Sequence, residues 1–439
     1  MNSMRVTRAG PRPARTFSRF GGAVATLLFA AAPLPSSAAP AVAASAAPLA
    51  ASYDSNSGIN DFYRARGNRP LWLAPQSGGA GQLVLGLLNS AAVDGLDPNR
   101  YQVRKVADAL RAAQNGNGRA VNRAELMLSQ AFVAYARDLR RAPIIGIVHV
   151  DRELVPAPPS PRSLLESAAA ASSLANFVDT MGWMNPTYGQ LRRALMSRSY
   201  VNDLQRRTLM LNLERARVLP AGNLRHVVVN AAAQRLFMYE NGQAIDSMRV
   251  VVGKPKHATP MMNAFIRAAA LNPYWNVPPD LAAERIAPNV VKQGVGYLKT
   301  MGYQVLSSWR DDATIVDPAT VDWKAVADGR IEVRIRQLPG PQNALGKMKF
   351  VFPNAQGIFL HDTPERQLLS EASRLYSGGC IRLEDAPRLA RWLLGREPSA
   401  IVADSQPEQH VLLPKATPIY ITYLNEPANA QMAFASMGR

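Results

Sequence analysis

The spacing of apolar residues changes once along the chain, near residue 220. From about Ser52 to Arg217 the apolar residues recur at helical spacing, for example in residues 82–88 and 124–132. From His226 onward β-branched residues begin and the period shortens toward two. The pattern predicts an α+β protein, with a mostly helical first half and a mainly β second half.

The second half contains several recognisable elements. Residues 236–239 and 247–252 are predicted to be two strands joined by a hairpin turn at Glu240-Asn241-Gly242-Gln243. We also predict a short buried strand at 358–360, a helix at 384–394 and a last strand at 419–423. The short strand leads directly into His361.

The first 43 residues have the pattern of a secretory signal and a small-residue linker. Five arginines precede the apolar run from Phe20 to Ala32, and small residues with a candidate cleavage site at Ala41-Val42-Ala43 follow. The run is too short to serve as a permanent membrane anchor. We therefore expect a periplasmic protein, with an uncleaved anchor or a disordered tail as the alternative.

Net charge and composition limit the classes of binding partner that we expect. The formal net charge is +18, of which the arginines of the signal segment supply five. A basic surface suits an anionic polymer, and export favours cell-wall glycan with carboxylate-bearing peptides over nucleic acid. A generally solvated arginine-rich surface is the alternative. The histidines lack the spacing of metal ligands, so neither a metal nor another cofactor is predicted.

The chain contains one cysteine, Cys380, in the segment Ser377-Gly378-Gly379-Cys380-Ile381-Arg382. A lone thiol cannot form an internal disulfide and is exposed to oxidation outside the cytoplasm. The two glycines allow a sharp turn that exposes backbone N–H groups, as an oxyanion hole requires. His361, 19 positions upstream, is a candidate base for the thiol. A buried, inert cysteine is the alternative interpretation.

These segments resemble a known family. His361-Asp362-Thr363-Pro364 followed by residues 377–382 is similar to the signature of the YkuD-type L,D-transpeptidases, especially the large periplasmic YcbB type. Further similar segments are Val252-Gly253-Lys254-Pro255, Thr259-Pro260-Met261-Met262, Asn272-Pro273, residues 275–279 and residues 339–346. The resemblance covers roughly 224–424 and extends into the helical half through 94–98 and 212–217.

The resemblance implies a domain organisation. The expected regions are the signal and linker (1–43), a helical scaffold domain (52–220), a catalytic domain (224–424) with a substrate-capping insertion (281–339), and a tail (425–439). The family's YcbB type usually carries a small helical peptidoglycan-binding module before residues 212–217. Here Tyr188 to Tyr200 runs almost directly into that segment, so the module is expected to be absent.

The resemblance also implies roles for individual residues. Cys380 would be the nucleophile and His361 the general base and later acid, with the His361 ring oriented by a backbone carbonyl. The N–H groups of Gly379 and Cys380 would stabilise the oxyanion beside Gly378. Ser377 would steady the loop or the thiolate, or only pack. Arg382 would hold a substrate carboxylate, or pair with Glu384 or Asp385.

The implied reaction forms 3-3 cross-links between peptidoglycan stem peptides through a cysteinyl thioester, with a tetrapeptide donor and a diaminopimelate acceptor. Such an acyltransferase would serve cell-wall biogenesis and cell shape, and carbapenems would inhibit it. Two alternatives remain at this stage. One is an L,D-carboxypeptidase or endopeptidase that hydrolyses wall peptides, and the other is a non-catalytic wall-binding scaffold. Envelope protein partners are not determined by the sequence.

Overall fold

The computed structural model describes residues 55–310, 312–398 and 406–425. The predicted signal segment and the tail from residue 426 lie outside the described residues. The described residues belong to one compact unit. None of the helices in the described ranges is long and apolar enough to cross a membrane.

The first part of the described chain is helical, as the apolar spacing predicted. Its helices are α1 (Ser55–Ala65), α2 (Ala80–Asn89), α3 (Val103–Ala113), α4 (Gly118–Leu139), α5 (Pro161–Ala170), α6 (Leu174–Asp179), α7 (Pro186–Met196) and α8 (Asp203–Ala216). Polar side chains accept hydrogen bonds from the first-turn N–H groups of α4 to α8, which satisfies donors that a helix start leaves open. Only six residues join α7 to α8, so these described residues leave no room for an inserted module there.

The helices enclose an aromatic core that contains one buried charge pair. Phe132 contacts Trp72 and Trp183, with ring centroids 5.0 and 4.9 Å away. At the edge of this cluster the carboxylate of Asp94 accepts hydrogen bonds from Tyr135 and Tyr188 and pairs with Arg192 at 3.0 Å. Asp94 lies in the short 3-10 turn after α2, and it links that turn to α4 and α7, on which its partners lie.

The second part is mainly β. Its large sheet contains β1 (Val148–His149), β2 (His226–Asn230), β3 (Arg235–Glu240), β4 (Gln243–Gly253), β5 (Met262–Leu271), β10 (Met348–Val351), β11 (Leu360–His361), β12 (Leu375–Ser377), β13 (Ile381–Leu383) and β14 (Gln409–Thr422). The predicted hairpin is present, with Asn241 and Gly242 at positive φ between β3 and β4. The predicted fold class is therefore confirmed.

The large sheet closes on itself. Its strand order is β5-β10-β11-β13-β4-β3-β2-β14, and β14 pairs back with β5. Apolar side chains from these strands and from α13 (Ala386–Leu394) fill the interior. The short strand β1, which lies between the helices, also pairs with β5, so the helical part contributes to the sheet. Closure holds β11 and β13 side by side in a rigid wall.

A second sheet lies mostly in the predicted capping insertion (281–339), although its first strand begins before residue 281. It consists of β6 (Trp275–Val277), β7 (Tyr303–Leu306), β8 (Ile315–Val316) and β9 (Arg334–Gln337). The accompanying helices are α9 (Pro279–Leu281), α10 (Ala287–Gln293), α11 (Gly296–Thr300) and α12 (Trp323–Ala327), and residues Ala282–Ile286 form a π-helical turn. This region, here called the cap, has its own small apolar core.

Candidate active site

Cys380 and His361 are brought to one face of the barrel wall by the pairing of β11 and β13. The two strands are parallel, with Leu360 opposite Ile381 and His361 opposite Arg382. Leu360 and Ile381 are completely buried in the barrel core. Because side chains alternate along a strand, His361 and Arg382 point to the outer face, together with Cys380 just before β13.

The imidazole of His361 is buried and held in one orientation. Its Nδ1 lies 2.6 Å from the backbone carbonyl oxygen of Asp362, so Nδ1 carries the proton and donates it. The predicted orientation by a backbone carbonyl is therefore observed. Burial lowers the pKa of His361 to about 3, and the nearby charge of Arg382 acts in the same direction. The ring is a neutral imidazole whose Nε2 lone pair is available as a base.

The thiol of Cys380 is partly exposed, and Sγ donates weakly to the carbonyl oxygen of Gly357 at 3.5 Å. The protein atoms around it raise the pKa of the thiol to about 11, against the opposing effects of the Phe359 backbone and Arg382. At neutral pH the pair is therefore a neutral thiol and a neutral imidazole.

Ser377 organises the loop that carries the thiol. Its hydroxyl accepts a hydrogen bond from Gly379 N–H at 3.1 Å and donates one to the carbonyl oxygen of Cys380 at 2.6 Å. Ser377 therefore steadies the loop. Since Gly379 N–H is already engaged, Cys380 N–H is the available member of the predicted pair of oxyanion donors.

The remaining glycine of the loop, Gly378, lies beneath the cap. A methyl group in place of its hydrogen would contact the side chain of Leu281 at 3.4 Å. Gly379 has a φ of +122°, a backbone conformation that favours glycine. Its carbonyl oxygen accepts a hydrogen bond from the buried hydroxyl of Thr259 at 2.7 Å. The loop is thus held by Thr259, in the segment before β5, and is covered by the cap.

Arg382 differs from the sequence prediction. Its guanidinium is buried and pairs with Glu365, so it is not open to a substrate carboxylate. Neither predicted internal partner is used, because Glu384 pairs with Arg249 and Asp385 caps α13. Glu365 takes the place of the two predicted partners because it follows β11, and the pairing of β11 with β13 brings that segment next to Arg382.

The cap is joined to the barrel beside residues 377–380, here called the nucleophile loop after the predicted role of Cys380. Glu284, on the π-helical turn, lies 2.9 Å from Lys256 and within 4 Å of Lys254 and His257. These three basic residues follow β4 and border the loop through the carbonyl of His257, 3.8 Å from a Cβ position on Gly379. The cap therefore meets the barrel at the reactive thiol.

Within the residues that the structure describes, no group of three or more His, Cys, Asp or Glu side chains is arranged to hold a metal ion. The chemistry available to the site is that of a thiol, an oriented imidazole and backbone N–H donors. This combination suits acyl transfer through a covalent thioester.

The comparison with known families agrees with this geometry. Residues 224–421 match the family described as the YkuD L,D-transpeptidase catalytic domain, and residues 57–195 match the Scaffold domain. The chain carries a YkuD L,D-transpeptidase catalytic domain preceded by a Scaffold domain. The family resemblance inferred from residues 361–364 and 377–382 is therefore confirmed.

Individual relatives are similar over part of the chain. A Haemophilus influenzae protein named "Putative L,D-transpeptidase" is 32% identical over 231 residues, which are 52% of this chain and 46% of that protein. The chain thus spans about half the length of this curated relative. Among solved structures, an L,D-transpeptidase from Mycobacterium smegmatis is 14% identical with a TM-score of 0.22, covering 46% of this chain and 60% of that one. The catalytic domain of an E. faecium L,D-transpeptidase is 15% identical with a TM-score of 0.18, and the match covers 45% of this chain and 95% of that one.

Sequence reasoning missed two residues that border the site. Glu365, the partner of Arg382, lies four positions after His361 and was not among the predicted site residues. Leu281 covers Gly378 from the cap, and nothing in the sequence indicates that contact. Of the cap aromatics, Trp323 is buried, Tyr297 and Tyr303 are partly buried, and Trp309 is 47% exposed.

Proposed function

We propose that this protein is an exported L,D-transpeptidase that forms 3-3 cross-links between peptidoglycan stem peptides, with Cys380 as nucleophile. The observation that carries the proposal is the placement of Cys380 and His361 on one face of adjacent strands, with Nε2 of His361 unprotonated. A thiol that has a high pKa requires such a base at the moment of attack.

In the first half-reaction Sγ of Cys380 attacks the carbonyl carbon at the L-centre of the third residue of a donor tetrapeptide. His361 Nε2 takes the thiol proton, and the N–H of Cys380 donates to the developing oxyanion. The C–N bond to the terminal D-Ala then breaks, and the proton on His361 passes to the departing amine. A thioester remains on Cys380, and D-Ala is released.

In the second half-reaction the side-chain amine of diaminopimelate on another stem attacks the thioester carbon. His361 accepts a proton from that amine, the C–S bond breaks, and His361 returns the proton to the departing sulfur to regenerate the thiol. An amide now joins the two stems. Water in place of the amine would give a tripeptide, so cover over the thioester by the cap favours cross-linking over hydrolysis.

The proposal extends to location and inhibition. The basic n-region and the short apolar run support export to the periplasm, where the substrate lies. A carbapenem presents a strained acyl carbon to the same thiol, so we expect a covalent adduct on Cys380. A role in wall biogenesis and cell shape follows from the cross-linking reaction.

The direct test incubates purified mature protein, and a Cys380→Ala variant, with disaccharide tetrapeptide and identifies the products by mass spectrometry. A dimer that has lost one D-Ala and requires Cys380 supports transpeptidation. Tripeptide monomer alone would replace the proposal with an L,D-carboxypeptidase. Unchanged substrate, with no carbapenem adduct on folded protein, would favour a non-catalytic wall-binding scaffold.

A further inference from the structure

Glu365 presents a carboxylate oxygen beside the catalytic pair. Its Oε2 pairs with Arg382, and its backbone N–H donates to Thr363 Oγ1 at 3.1 Å, so the side chain is held in place. The side chain is nevertheless 41% exposed. Oε1 has no hydrogen-bond partner among the described residues, which leaves it available to a cation. Arg382 is the neighbour of His361 in the strand register, so Glu365 lies at the edge of the reactive centre.

Arg285 presents the opposite charge from the cap. It lies on the π-helical turn four residues after Leu281, whose side chain contacts Gly378 of the nucleophile loop. Side chains four residues apart in a helical turn project to the same side, so Arg285 is directed toward the site. Arg285 is exposed and forms no ion pair within the part of the chain that the structure describes. Its neighbour Glu284 holds the turn against the barrel.

Tyr303 packs against the apolar core of the cap. Its ring packs with Tyr297 and Trp275, at centroid distances of 6.3 and 6.4 Å. Burial raises the pKa of the Tyr303 hydroxyl to about 12, and this pKa is also raised by Glu365 and lowered by Arg285. The pKa of the Tyr303 hydroxyl thus responds to one charge on the barrel, Glu365, and to one on the cap, Arg285.

We propose that Glu365 and Arg285 form a subsite for the zwitterionic end of the donor's third residue. This inference rests on the proposed function, in which the diaminopimelate of the donor is acylated at its L-centre. The other end of that residue carries an ammonium and a carboxylate on one carbon, four single bonds from the L-centre. Glu365 Oε1 binds the ammonium and the Arg285 guanidinium binds the carboxylate, over the face formed by Tyr303.

The subsite explains why Arg382 is occupied internally. Arg382 positions Glu365 for the ammonium, and the substrate carboxylate is received by the cap. Binding of a zwitterion would link the cap to the barrel through the donor itself. Donors that lack either charge at this position should then be acylated more slowly.

The test measures D-Ala release from three purified tetrapeptide donors. One carries meso-diaminopimelate, one carries the same residue with its distal carboxylate amidated, and one carries it with its distal amine acetylated. For the wild-type enzyme, kcat/KM should be highest for the unmodified donor. In Arg285→Gln the preference for the free carboxylate over the amide should fall about tenfold, the loss of one charge-assisted hydrogen bond. In Glu365→Gln the preference for the free amine should fall similarly.

The matched control is Arg330→Gln, because Arg330 is an exposed cap arginine that pairs only with Asp328. This variant should retain the wild-type preferences. Preferences in Arg285→Gln equal to those of the wild type would overturn the subsite. If Glu365→Gln fails to fold because Arg382 loses its partner, Arg285→Gln still decides the matter. Failure of the proposed function is a separate outcome, seen when wild-type enzyme releases D-Ala from none of the donors and forms no carbapenem adduct.

Discussion

Nδ1 of His361 donates its proton to the backbone carbonyl oxygen of Asp362 over 2.6 Å. The carboxylate of Asp362 is engaged elsewhere, by Lys347 N–H at 2.9 Å and by Arg366 at 2.7 Å. These two bonds hold the peptide that supplies the carbonyl. The backbone therefore selects the tautomer of the base, while the Asp362 side chain acts only by fixing that backbone.

The pH dependence of acylation should reflect a neutral catalytic pair. Burial lowers the pKa of His361 to about 3 and raises the pKa of Cys380 to about 11. A lowered pKa keeps the imidazole unprotonated on the acid side, so the rate of carbapenem acylation should be level from about pH 5 to 9. Stopped-flow absorbance would measure it. A fall in rate centred near pH 6.5 would show that His361 titrates as an ordinary histidine.

Removal of the Ser377 hydroxyl should disorder the nucleophile loop. Ser377→Ala leaves Gly379 N–H and the Cys380 carbonyl without their buried partner, a loss of roughly 1–3 kcal/mol. We expect the acylation rate to fall about tenfold and stability to drop modestly. The comparison is with Ser373→Ala, an exposed position in the same segment. Equal acylation rates in the two variants would refute the loop-ordering role.

The contact between the cap and the barrel should depend on Glu284. Its partners Lys254, Lys256 and His257 all lie on one loop of the barrel, and they hold the pKa of Glu284 below its usual range. Glu284→Gln should accelerate backbone hydrogen exchange in the cap from about residue 281 to 300, as added salt should in the wild type. Glu332→Gln, an exposed cap substitution, provides the control. Identical exchange in both variants would count against this contact.

Asp94 should be the most sensitive position of the helical core. Asp94→Ala leaves Arg192 with a buried charge and removes the acceptor of two tyrosine hydroxyls. The expected loss is about 3–5 kcal/mol in the free energy of unfolding, measured by urea denaturation. Asp108→Asn, which breaks an exposed ion pair with Arg111, should lower the free energy of unfolding by much less. Similar losses in the two variants would contradict the prediction.

The amino-acid sequence indicated the two halves of the protein and the candidate residues for its chemistry. Apolar spacing separated helices from strands, because burial on one face imposes a period of 3.6 or two. A lone cysteine after two glycines, with His361 upstream, indicated a nucleophile and its base. These features are local in the sequence, so they can be recognised without knowledge of the fold.

Only the tertiary structure decided which side chains share the site. The parallel pairing of β11 with β13 placed His361 and Cys380 on one face. The same pairing brought Glu365 close enough to form an ion pair with Arg382. Closure of the sheet between β14 and β5 joins strands far apart in sequence. The contact of Leu281 with Gly378 likewise spans almost a hundred residues. Such contacts depend on strand register and packing of distant segments, which no local pattern of residues encodes by itself.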